Sequence, residues 1–345
     1  NELKAPGSNE YGRVDRVAGW FLLARMYLNA QTWINENKYQ EAYAYAVKVI
    51  ADGHYPLASD YREIFLADNN TCKEIIWPLV QDGLRAQSSA GTNFYVKAFV
   101  NGPMDELYKT GVGSRGWGNV RAKVSLVDAF DADDVMFDGN DTWGNNKKDK
   151  RAQFMTALPN QVKDTWDVNM DMTSTFTCGY GYIKWRNVTK EDELCPSGDA
   201  YTSIDFPLFR TADAYLMAAE AILRGANGTQ SEALGYVNEV RTRAYMSGKY
   251  AKNGVRSDVS GEITANELNL DFLLVERQKE LASELTRRTD LIRFGKYTKG
   301  NNWDWKNGVR LGADVDDKYN LFPIPESELT NNPTLVQNDG YKVIK

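Results

Sequence analysis

Residues 273–297 read LLVERQKELASELTRRTDLIRFGKY. Leu273, Leu274, Leu281, Leu285 and Leu291 recur at helical spacing, and Glu276, Glu280 and Glu284 fall four residues apart. A period near 3.6 puts such residues on shared faces, so the spacing predicts one long amphipathic helix. Glutamates gather at its start and arginines at its end, the order that the helix dipole favours. Gly295 supplies the stop.

Outward from that stretch, two helix pairs stand out. The first is Val14–Gln31 followed by Tyr39–Ala51, with Ala18, Leu22, Leu23, Tyr27, Ala42, Ala46 and Val49 as its apolar positions. The second is Thr211–Leu223 followed by Ser231–Ala244, turning at Gly225-Ala-Asn-Gly228, with Leu216, Ala219, Ala221, Ala233, Val237 and Val240. Small alanines let two helices lie close together, as tetratricopeptide-type hairpins require. Residues 72–203 differ in character, being rich in Gly, Asn, Asp and Trp with short apolar runs such as Ile75-Ile76-Trp77 and Tyr182-Ile183-Lys184-Trp185. That composition predicts loops, short strands and a few short helices, and long irregular stretches inside compact domains are usually functional. The tail from Asn320 onward, rich in Pro and Asn, reads as extended.

The 345 residues include 41 basic and 47 acidic side chains, a formal charge of −6 with the signs interspersed. A nucleic-acid binder would show a basic stripe, which this pattern excludes. The 19 tyrosines and 9 tryptophans suit solvent-facing recognition, because each joins a flat apolar face to a polar tip. No apolar run reaches the length of a membrane span. The single histidine, His54, sits in an Asp-Gly-His-Tyr-Pro turn, and the sequence has no nucleophile elbow, phosphate-binding loop or dinucleotide fingerprint. Acidic residues are plentiful, yet no spacing pairs two of them as glycoside hydrolysis requires. The chain is therefore read as non-catalytic and without a cofactor. Asp131, Asp133, Asp134, Asp138 and Asp141 invite comparison with a calcium loop. Val135 and Met136 fall where a ligand and a glycine are needed, so a solvated loop is expected, with a structural calcium ion as the alternative. Cys72, Cys178 and Cys195 fit no zinc template, and free thiols or a Cys178–Cys195 bridge both stay open.

Four segments spread along the chain resemble the SusD/RagB family, surface glycan-binding lipoproteins of Bacteroidota. Tyr11-Gly-Arg-Val14 leading into Leu22–Asn29 is similar to the family helix that begins YGR and ends LYLNA. Trp117-Gly-Asn-Val-Arg-Ala122 is similar to its W-G-x-x-R-A segment, and Phe322-Pro-Ile-Pro325 to its late proline motif. Glu280–Lys296 resembles its glutamate–arginine signature ending in D-L-I-R-x-G-K. The resemblance implies a mainly α, SusD-like fold over residues 1–345. Tetratricopeptide-type hairpins at 11–52 and 208–297 would form the scaffold, and 72–203 a loop-rich recognition lobe with short strands. It also implies non-catalytic binding of a glycan at the outer surface of the outer membrane, with delivery to a SusC-like TonB-dependent transporter. Starch or maltooligosaccharide is the expected ligand, because segments 75–83, 91–97 and 117–122 look most like those of starch-binding members. Contact with the membrane is expected only through an N-terminal lipid on a part of the family sequence that has no counterpart here. Another glycan, a peptide ligand, or a protein–protein scaffold remain as alternatives.

A pyranose ring presents a face of axial C–H groups to an aromatic ring, while its hydroxyls need donors and acceptors in the ring plane. Trp117, set between Gly116 and Gly118, is the leading candidate for that face, with Asn119 and Arg121 following. In starch-binding members an aromatic from an earlier loop joins this tryptophan in an arc, and Tyr95 or Phe94 matches it. Asn93 and Lys97 are the expected hydroxyl partners on that segment. Trp20 and Trp33 are expected to pack within the first helix pair and Trp303 and Trp305 to be structural, while Trp143 and Trp166 lie in loops.

Overall fold

The computed structural model describes residues 3–85, 87–101, 104, 105, 108–135, 144, 146–156, 179–246, 260–300, 309 and 312–342. In chain order the elements are α1 (Arg16–Ile34), α2 (Tyr39–Asp52), β1 (Ile75–Leu79), α3 (Thr92–Ala98), α4 (Val124–Val127) and α5 (Ala132–Val135). Then follow β2 (Phe154–Thr156), β3 (Tyr180–Tyr182), β4 (Phe206–Arg210), α6 (Thr211–Leu223), α7 (Gln230–Met246), α8 (Leu270–Leu281), α9 (Arg287–Arg293) and α10 (Glu326–Asn331). They form two compact units, Asn1–Leu285 and Thr286–Lys345.

The scaffold of the first unit is a row of helices, α1 against α2, α2 against α6, and α6 against α7 and α8. Phe21, Ala24 and Leu28 of α1 meet Ala42, Ala46 and Val49 of α2, and Ala214, Met217, Ala218 and Ala221 of α6 complete that cluster. The other side of α6, through Ala212, Leu216 and Ala219, packs on Ala233, Val237 and Val240 of α7 and Leu273 of α8. An alanine-rich helix can be buried on two faces because its backbone can be approached closely from both. The helix starts are written in the sequence. Asp15 accepts the Ala18 N–H at 3.1 Å, Asn269 accepts that of Phe272 at 2.9 Å, and Thr229 with Glu232 forms a reciprocal capping box.

Among the described residues, the middle of the chain carries loops with short strands, as expected. β1 pairs antiparallel with β4, Leu79 opposite Phe206 and Ile75 opposite Arg210, and β2 pairs antiparallel with β3. Tyr61, Ile64, Phe65, Ile183, Trp185 and Phe206 share a core, in which Trp185 stacks on Phe206 with ring centroids 5.5 Å apart.

The helix expected over residues 273–297 is not continuous. α8 stops at Leu281, Ser283 and Leu285 both take the left-handed conformation at φ 61°, and α9 starts at Arg287. The cause lies in the carbonyls. An unbroken helix would offer the Glu280 and Ala282 oxygens to the N–H groups four residues on. Here Arg210 Nη2 and Tyr61 Oη donate to the Glu280 oxygen at 2.7 and 3.0 Å, and Lys184 Nζ donates to that of Ala282 at 2.8 Å. Leu285, placed by its spacing on the apolar face, is instead 74% exposed.

The face that carries the glutamate ladder is not solvated, because Glu276, Glu280 and Glu284 are all buried. With Glu74 and Asp149 they form one connected network with Arg151, Lys184, Arg210, Arg241 and Arg243. Glu280 lies at its centre, accepting from Arg210 at 2.6 Å, from Arg151 at 3.1 Å and from Arg243. Burial works against its charge, but Arg243, Arg210 and Arg151 overcome it and hold the carboxyl well below the usual range. Lys184 is a contrary case. Burial, with the Arg210 charge adding to it, pushes its ammonium down to about 8 against the pull of Glu284.

Other expectations meet the structure as follows. Trp33 is 57% exposed rather than packed. Asp134 belongs to no solvated face: it is buried and accepts the N–H groups of Lys148 and Asp149 at 2.7 and 3.1 Å. Cys195 carries a buried thiol 2.9 Å from Ser197 Oγ. Cys178, Asp138, Asp141, Trp143, Trp166, Trp303 and Trp305 lie outside the described residues. In the second unit the tail expected to be extended contains α10, and Asn338 and Tyr341 donate to the carbonyls of Phe322 and Leu321 at 2.7 and 2.9 Å.

Candidate functional site

α3 opens at Gly91, whose φ of 65° combined with ψ of −143° is a conformation open to glycine, and Thr92 Oγ1 ties the helix start to the Ile204 carbonyl at 2.7 Å. Seven residues make two turns, so Thr92, Asn93, Val96 and Lys97 face inward and Phe94 faces out. Tyr95, half-buried, stacks on Trp185 at 5.3 Å with 28° between the planes.

A helix end leaves carbonyls without partners. The chain returns after the turn Gly113–Arg115 to fill them. Trp117 N–H donates to Lys97 O, Gly118 N–H to Val100 O, and Asn119 and Val120 N–H to Ala98 O, each at 2.8 Å. Gly116 makes this approach feasible: a Cβ there would lie 2.6 Å from Val100 O and 2.8 Å from Asn101 Cα. The result is a platform of two aromatic rings. Trp117 is 37% exposed and Phe94 43%, with ring centroids 6.1 Å apart and planes inclined at 59°.

The remaining residues of the expected site take different places. Asn119 is exposed beside Trp117, and Arg121 is half-buried. Asn93 and Lys97, expected to meet hydroxyls, are buried. Asn93 Nδ2 donates to Ser88 O at 3.0 Å, and its Oδ1 has no partner among the described residues. Lys97 Nζ donates to Ala200 O, and burial, with Arg115 nearby, holds its ammonium below the usual range. Of the two aromatics left open by the sequence, Phe94 stands beside Trp117 and Tyr95 belongs to the wall behind. Sequence reading did not single out Arg115, two residues before Trp117, which forms an exposed ion pair with Asp199 at 3.0 Å. Asp199 lies some eighty residues away, and nothing local signals that meeting.

The description "SusD family" is that of the family model matching residues 73–341. The chain belongs to the SusD family. Starch-binding protein SusD of Bacteroides thetaiotaomicron is 33% identical over 376 aligned residues, covering 99% of this chain and 64% of that protein. SusD-like protein P25 of Formosa agariphila is 25% identical, covering 95% and 59%. The chain thus spans under two thirds of the length of these curated relatives. Among solved structures, a SusD superfamily protein of Parabacteroides distasonis superposes with a TM-score of 0.64 at 20% identity, covering 99% of this chain and 66% of that one. Surface glycan-binding protein A of Bacteroides thetaiotaomicron, in complex with laminarihexaose, gives 0.63 at 22% identity, covering 97% and 66%. These likenesses establish the mainly helical SusD fold.

Proposed function

We propose that this SusD family chain binds a glycan without catalysis, with Trp117 and Phe94 as the surface on which the sugar rings lie. The observation that carries this reading is the exposed aromatic pair clipped to the end of α3. An α-glucan, starch or maltooligosaccharide, is the favoured ligand, supported by the 33% identity to a starch-binding protein. Residues 72–203 serve as the recognition region and the helices of 11–52 and 208–297 as its scaffold. The site is held at the outer surface of the outer membrane by a lipid anchor, and the glycan passes to a SusC-like TonB-dependent transporter.

The sugar contact has a size. With Trp117 37% exposed, a tryptophan of about 250 Å² leaves roughly 90 Å² to cover, worth about 2 kcal/mol or roughly 30-fold in affinity. Affinity electrophoresis against soluble starch, β-glucan, xylan and fructan, with Trp117→Ala alongside, tests the reading. Retardation by starch that weakens about 30-fold in the variant supports it. Binding to another glycan replaces the ligand and keeps the site. Silence on all four favours a peptide ligand or a protein scaffold and overturns the reading.

A further inference from the structure

An exposed ion pair, Arg115 with Asp199, sits on the turn that leads into Trp117. Arg115 precedes Trp117 by two residues, so their Cα atoms lie within about 7 Å of each other. Its Nε donates to Asp199 Oδ1 at 3.0 Å, and the two side chains remain 56% and 40% exposed. Among the described residues neither side chain has another hydrogen-bond partner, so both terminal guanidinium nitrogens and Asp199 Oδ2 are uncommitted.

The pair is nonetheless fixed in place. Lys97 accepts the Trp117 N–H on its carbonyl, and its Nζ donates to the carbonyl of Ala200. One residue therefore secures both the tryptophan and the loop carrying Asp199. Gly113, at φ 54°, leaves room for the carboxylate: a Cβ there would lie 2.8 Å from Asp199 Oδ2. A carboxylate and a guanidinium side by side offer an acceptor and donors on the chain segment that carries an exposed tryptophan. Adjacent equatorial hydroxyls of a hexose need that combination, since each hydroxyl both donates and accepts.

We propose that Arg115 and Asp199 are the polar arm of the glycan site. They take two neighbouring hydroxyls of a neutral hexose whose ring lies on Trp117. Asp199 accepts from one hydroxyl and Arg115 donates to the other. This rests on the glycan reading above. It assigns hydroxyl recognition to residues outside the α3 segment, where Asn93 and Lys97 are already engaged within the fold.

Calorimetry with the glycan that retards the wild type tests this on Asp199→Asn, Arg115→Gln and Trp117→Ala, each with its melting curve. Charge-assisted hydrogen bonds are the stronger kind, so each charge removal should weaken binding about 10-fold. An exposed ion pair adds little to folding, so melting should not move. Wild-type affinity in both charge variants, with binding lost in Trp117→Ala, overturns the polar arm and leaves the platform standing. A lowered melting point with unchanged affinity makes the pair structural and likewise overturns it. Undiminished binding by Trp117→Ala, or no glycan bound by the wild type, overturns both readings.

Discussion

Glu280→Gln is the sharpest probe of what holds the first unit together. Glu280 is fully buried and accepts from Arg151, Arg210 and Arg243. Glutamine keeps the shape, removes one negative charge and turns an amide N–H₂ toward guanidinium donors. Removing one partner of a buried ion pair costs about 3–5 kcal/mol, because the charge left behind remains out of water. The structure selects the lower end. Arg210 keeps Glu74 and Glu284, Arg243 keeps Glu74, and Arg151 keeps Asp149 and Glu276. For a unit of this size, about 3 kcal/mol corresponds to a fall in melting temperature of roughly 5 °C. The same change at Glu41, a half-exposed residue paired with Lys38, should be nearly silent. The pH dependence supplies a second readout. Glu280 titrates lower when folded than when unfolded. Its contribution is therefore complete above the ordinary carboxylate range near pH 4 and is lost as pH falls toward the depressed folded value. Glu280→Gln should flatten that acid limb. Urea denaturation from pH 3 to 7 measures both effects, and a variant within 1 kcal/mol of wild type with the same acid limb would refute the argument.

Two further predictions concern the site and the buried lysine. Gly116→Ala should push the Trp117 loop off α3, since both obstructing atoms are backbone and cannot turn aside. Overpacking of this kind costs about 1–3 kcal/mol, and glycan retardation should weaken although Trp117 is retained. Unchanged retardation would show that the loop is not clamped there. Lys184, pushed down to about 8 when folded, should titrate near 10.4 when unfolded. The unfolded chain then binds more protons between these values, so this group raises stability as pH climbs from 8 toward 10. Comparing urea midpoints of wild type and Lys184→Met across that window isolates the effect, and parallel profiles would contradict it.

The helix pairs were legible because their signals are local. Alanines at a helical period mark α6 and α2. The break after Leu281 was not legible, since its causes, Lys184 just after β3 and Arg210 at the end of β4, lie some seventy to a hundred residues away. The burial of the glutamate ladder was hidden for the same reason: a four-residue spacing states that Glu276, Glu280 and Glu284 share a face but not what lies opposite. At the site, Trp117 between two glycines was readable as a ring with little beside it. Asn93 and Lys97 were misplaced because chemistry suited to hydroxyls says nothing about which side of a seven-residue helix faces the core.

The clip between α3 and the Trp117 loop is made wholly of main-chain donors and acceptors. Such bonds are indifferent to which side chains the loop bears, provided Gly116 and Gly118 keep their conformations. Ser114 and Asn119 could therefore be exchanged without unseating the ring between them. Fixed geometry also means that little freedom remains for a ligand to take away. Mounted in this way, the tryptophan is a stationary feature around which selectivity can be rewritten one neighbour at a time, leaving the foundation as it was.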